Sequence, residues 1–172
     1  MSAASPDKQP VVAFVIEELS IGGAEQMVVA IANEFVQRNW RVHVICLSKR
    51  GELAERLSDK LEVHVLNKKP GIDVALPLRL YRCIHEINPV AINTHLWVAN
   101  AWTRIALFGT RYSVVATEHS RDTWKPFIYR FVDRVLAYRT HKLVTGSKRG
   151  THWPYKVLWS NGFRIGIANT GI

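Results

Sequence analysis

Cysteine is scarce in this chain: Cys46 and Cys83 are the only two among 172 residues. Cys46 falls inside an apolar run that reads as a buried strand. A disulfide framework and a zinc site therefore have no support, and a reducing, cytoplasmic setting is expected. Long hydrophobic runs are missing as well. No apolar stretch approaches the roughly 20 residues needed to cross a bilayer, and residues 1–10 form a polar leader without the basic start and apolar middle of a signal peptide. Acidic residues are absent after Asp133. The net charge of +9 is accordingly a feature of the C-terminal third, where six Lys or Arg between Arg121 and Lys142 face two Asp. Such an excess bears on partners rather than on fold. The motifs of nucleic-acid readers are lacking too, and most aromatics occupy predicted core positions, so no nucleic acid partner is expected. Internal repeats and low-complexity segments are likewise absent, and 48% hydrophobic with 22% charged residues suits a single globular domain.

What is present is organised around Val11 to Gln26, V-V-A-F-V-I-E-E-L-S-I-G-G-A-E-Q. Val11 to Ile16 is an uninterrupted apolar run, which suits a central parallel strand covered on both faces. After Glu17, Glu18 and Ser20 come Gly22 and Gly23. Ala24 then opens a helical stripe of Met27, Val28, Ile31, Ala32 and Phe35. Two glycines at that junction could merely allow a tight connection. They could also let the backbone, with the free N–H groups of the helix start, approach an anion. The loop is neither a G-x-G-x-x-G dinucleotide fingerprint nor a P-loop ending in G-K-[ST].

Strand and helix alternate six times along the chain. Arg41 to Leu47, Leu61 to Leu66, Val90 to Asn93, Tyr112 to Thr117 and Lys142 to Thr145 read as further strands. Glu52 to Leu57, Leu76 to Asn88, Val98 to Phe108 (with Gly109 as its C-cap) and Pro126 to Tyr138 read as helices. The expected fold is α/β: a Rossmann-like, doubly wound, mostly parallel sheet of about six strands with helices on both faces. Its ligands belong outside the carboxyl ends of the strands. Glu17, Gly22, Gly23, then His95 and Trp97 in the exit loop of the fourth strand, and Glu118, His119 and Ser120 in that of the fifth, all fall on that rim. One helix carries Trp124, Phe127, Ile128, Phe131, Val132 and Val135 on one arc, with Lys125, Arg130 and Arg134 nearby. That arc reads as a core stripe or as a patch lying on an anionic membrane.

The strand followed by I-G-G-A-E-Q, the apolar helix and R-V-H-V-I resembles the opening of the family 4 glycosyltransferases, retaining enzymes on the two-domain GT-B plan. T-E-H-S and N-P-V-A-I-N-T-H-L-W are similar to the family stretches that place histidines at the cleft. The resemblance implies that Gly22 and Gly23 lie near donor phosphates or the acceptor. It implies that His119 is the catalytic group, hydrogen-bonding the sugar or the acceptor hydroxyl rather than acting as general base. Glu17, His95, Trp97, Glu118 and Ser120 would line the acceptor cleft. It further implies a nucleotide-sugar co-substrate, no bound cofactor, no metal, and a glycan or lipid-linked acceptor, in polysaccharide or glycolipid biosynthesis, with peripheral contact at the inner face of the cell membrane. The family's paired glutamates belong to a donor-binding C-terminal domain, and the interval between Glu17 and Glu25 matches theirs only by coincidence. Residues 11–147 correspond to the N-terminal domain. Residues 148–172 depart from the family pattern, as a frameshifted or truncated tail would, and a second chain could supply the donor domain. The rival from another class is a non-catalytic basic α/β binding module for nucleic acid or anionic lipid.

Overall fold

Residues 9–118 and 142–145 are described by the computed structural model. In chain order the elements are β1 (Val11–Glu18), α1 (Gly23–Gln37), β2 (Arg41–Lys49), a 3₁₀ turn (Glu52–Arg56), β3 (Glu62–Val65), α2 (Leu76–Ile87), β4 (Ala91–His95), α3 (Leu96–Ala106), β5 (Val114–Glu118) and β6 (Lys142–Thr145). The strands form one sheet in the order β3-β2-β1-β4-β5-β6, with each neighbouring pair parallel. The fold is thus the α/β, Rossmann-like, doubly wound one.

The apolar run of β1 explains its place. Residues 12–16 are all buried, because β2 and β4 flank the strand and helices cover both faces. Side chains alternate between two cores, as strand geometry requires. Val12, Phe14 and Ile16 join Val28, Val29 and Ala32 of α1 and Leu53 of the 3₁₀ turn. Ala13 and Val15 join Leu76, Leu80 and Ile84 of α2 and Ala99 of α3. Phe14, 1% exposed, meets the ring of Phe35 edge to face at 5.8 Å, which anchors α1 on the sheet.

Several boundaries differ from those read in the sequence. β4 runs to His95 and β5 to Glu118, so neither residue sits in a loop. α3 begins at Leu96, which places Trp97 in its first turn instead of in an exit loop. The cause is Leu96, whose φ of 68° turns the chain from strand to helix in one residue. α3 ends at Ala106 with Leu107 as its cap, so Gly109 is not the C-cap residue. α2 stops where the sequence places its end, with Asn88 left-handed before Pro89.

The chain leaving β1 is held by the turn leaving β2. Leu19 N–H donates to Arg50 O at 3.3 Å, and Leu53 N–H donates to Leu19 O at 2.9 Å. Between those contacts Gly51 adopts φ 75°, and a Cβ there would overlap the backbone of Leu19. Gly51→Ala is therefore expected to destabilise the chain by about 2 kcal/mol or more, read as a lower urea midpoint. An unchanged midpoint would show that the Leu19 turn can shift freely.

Candidate functional site

The strand order reverses between β1 and β4. The chain leaving β1 runs to α1 over one face, whereas the chain leaving β4 runs to α3 over the other, so the carboxyl ends of these strands mark the switch point at which a doubly wound sheet places its ligand crevice. Because the sheet is parallel, Glu17, Glu18, His95 and Glu118 all end strands on this one edge. Gly22 and Gly23 begin α1 at the same edge. His119, Ser120, Trp124, Lys125, Phe127, Arg130 and Arg134 lie outside the described residues.

Gly22 is the N-cap of α1 in extended conformation, and Gly23 is its first helical residue. Among the described residues a Cβ on Gly23 would meet nothing within 4 Å, so their packing does not call for glycine there. At Gly22 a Cβ would overlap the Glu25 carboxylate, the end of a flexible side chain. Glu25 thus lies in the first turn, where its charge complements the helix dipole. An anion approaching the helix start would have to displace this side chain.

His95 is fully buried and is the N-cap residue of α3. Its ring lies 6.2 Å from that of Phe14. In the sheet register it is opposite Thr117. One residue back on each strand the faces change, and two residues back Asn93 returns to the same face as His95, where its Oδ1 accepts a 2.9 Å hydrogen bond from Thr117 Oγ1. The opposite face carries a second polar pair: the buried Thr94 hydroxyl donates to Asn100 Oδ1 of α3. Polar side chains therefore stand on both faces of β4 just below the crevice.

The connection from β3 to α2 brings a cation to this edge. Lys68 N–H donates to Leu47 O at 2.7 Å, and Lys68 Nζ lies 3.8 Å from Glu17 Oε1. Asp73 holds the loop. It accepts from the N–H groups of Lys69 at 2.9 Å and Ala75 at 3.2 Å, and from Arg79 Nη2 at 2.6 Å. The Arg79 hydrogen bond, followed by that from Lys69, pulls the Asp73 carboxyl down to about 2. Glu18, also at the crevice, pairs with Lys49 Nζ at 3.4 Å and accepts from Ser20 Oγ.

The sequence reading missed Lys68, Asn93, Thr94, Asn100 and Thr117 as neighbours of the site. Lys68 carried a usable signal, since it follows a strand on the same rim. The others were concealed inside runs assigned wholly to strand or helix. Two cavities, of about 250 and 290 Å³, open elsewhere on the described residues: one beside Arg50, Ala54 and Leu57, the other beside His43, Glu62 and His64. Among the described residues no helix is long and apolar enough to cross a membrane.

Residues 21–159 match the sequence profile of Glycosyltransferase Family 4. No curated protein matches the chain. Among solved structures, the sucrose-phosphate synthase of Thermosynechococcus elongatus is similar, with a TM-score of 0.58 at 10% identity over 78% of this chain. The chain spans 42% of that protein's length.

The Thr94–Asn100 pair predicts a coupled double-mutant cycle. Asn100→Leu alone should cost about 1–3 kcal/mol, because it leaves the buried Thr94 hydroxyl only the long 3.5 Å contact with Val115 O, and adding Thr94→Val should recover part of the loss. Additive losses in urea unfolding would mean that the pair does not interact. Asp73 predicts an acid limb. Its folded value lies below the ordinary 3.8, so its contribution is complete above about pH 4 and vanishes as pH falls through about 2. Denaturation curves of wild type and Asp73→Asn should converge across that window; a gap that stays constant would contradict this.

Proposed function

The chain belongs to Glycosyltransferase Family 4, and from that membership we propose that it is the acceptor-side half of an enzyme moving a sugar from a nucleotide-sugar donor to a glycan or lipid-linked acceptor. The observation that carries this reading is the meeting of the Gly22–Gly23 helix start and His95 at the one edge where the strand order reverses, within a family match over residues 21–159. Transfer with a nucleotide diphosphate as leaving group depends mainly on positioning and on stabilising developing negative charge. The helix start offers N–H groups for an anion, and Lys68 adds a cation to the same rim. His119, the residue after Glu118, is the proposed catalytic group by family resemblance, hydrogen-bonding the sugar or the acceptor hydroxyl. Glu17, His95, Trp97, Glu118 and Ser120 are proposed to line the acceptor side.

A GT-B enzyme reacts between two domains, so residues 11–147 are proposed to have little activity without a donor-binding domain beside them. Peripheral contact with the inner face of the cell membrane belongs to the same proposal, through Trp124, Lys125, Phe127, Arg130 and Arg134. Flotation with anionic but not neutral liposomes is the expected result. Equal recovery with both would remove the membrane contact.

Gly23 offers the sharpest test of the transfer site, because its Cβ position is open among the described residues. Gly23→Val should leave stability within about 1 kcal/mol of wild type yet reduce sugar transfer at least tenfold. Transfer is read with UDP- and GDP-sugars, a polyprenyl-linked acceptor and an added family donor domain. His119→Ala should lower the rate about a hundredfold or more. Wild-type rates in both variants would sink the assignment. Salt-sensitive binding of arbitrary RNA with no response to any sugar nucleotide would favour a basic binding module instead.

A further inference from the structure

Away from the crevice, on the α2 face near the free edge of the sheet, three side chains with metal-binding atoms converge. His43 of β2 pairs in register with Glu62 of β3, and Ile45 with His64. These positions point to one face, so His43, Glu62 and His64 come together although 21 residues separate the two histidines. His43 Nδ1 lies 3.1 Å from His64 Nε2 and 3.7 Å from Glu62 Oε2. One ligand atom from each residue lies within 4.8 Å of the others.

From this cluster we infer a binding site for a divalent transition ion of the zinc class, held by His43, Glu62 and His64 and separate from the sugar-transfer crevice. Two imidazole nitrogens each about 2.0–2.1 Å from a tetrahedral ion stand roughly 3.3 Å apart, close to the separation found here. Two imidazoles and one carboxylate form a donor set suited to zinc, nickel or copper rather than to magnesium or calcium. Burial favours the neutral form of His43, which is the form that ligates, although Glu62 opposes the shift. The other Glu62 oxygen lies 3.8 Å from Arg41 Nη2, so the guanidinium orients the carboxylate from outside the cluster. The cavity of about 290 Å³ lined by these residues, with Cys83 and Glu86 of α2 on its far wall, gives an ion entry and leaves room for water as a further ligand.

The ion would tie β3, a four-residue edge strand, to β2. Glu62 is exposed and His64 only partly buried, so replacing either should leave the fold intact, as circular dichroism of the metal-free variants will check. The experiment is equilibrium dialysis of the full 172-residue chain against Zn²⁺, together with His64→Asn, Glu62→Gln and the double variant. Wild type should bind one equivalent that the double variant lacks, each single variant should bind it at least tenfold more weakly, and Zn²⁺ at a hundredfold excess over the dissociation constant should raise the wild-type thermal midpoint by roughly 5 °C. Zinc stoichiometry and affinity unchanged in the folded double variant would overturn the site.

Discussion

The structure depends on β1 being enclosed on every side. A strand hydrogen-bonded along both edges and covered by helices on both faces has no freedom to slip, since a shift of one residue would exchange its two cores. Phe14 and Val15 are wholly or almost wholly buried against different helices. Everything at the crevice is placed relative to that fixed strand: the start of α1 follows from its exit, and β4 takes its register from Val12 to Val15.

Among the described residues the rim is charge-balanced locally rather than uniformly basic. Glu17 faces Lys68, Glu18 faces Lys49, and Glu25 lies over Gly22. The Glu18–Lys49 pair is largely solvent-exposed and contributes little stability, whereas Lys68 is mostly buried beside Glu17. The side chains below them are more firmly fixed. Asn93 with Thr117, and Thr94 with Asn100, are hydrogen-bonded on opposite faces of β4. The described part of this edge thus has a charge-paired upper layer on a hydrogen-bonded polar floor.

The parallel sheet was legible because buried parallel strands leave continuous apolar runs, and Val11 to Ile16 is one. The glycine junction was legible because Gly22 and Gly23 interrupt the change from strand to helical periodicity. The end of β4 was not. Polar Thr94 and His95 look like loop residues, yet Thr94 is buried under α3 and His95 over Phe14, and no composition rule anticipates a leucine with positive φ making the turn. The His43, Glu62 and His64 cluster was also hidden. Its members lie on different strands, and only the β2–β3 register makes them neighbours.

The strand order has a consequence during synthesis. β2 can pair with β1 soon after both leave the ribosome, but the other edge of β1 requires β4, about seventy residues further on. At roughly 5–20 residues per second the wait is on the order of several seconds. During that interval an apolar strand presents an open edge in a nascent chain, the condition under which chaperones are recruited and wrong pairings form.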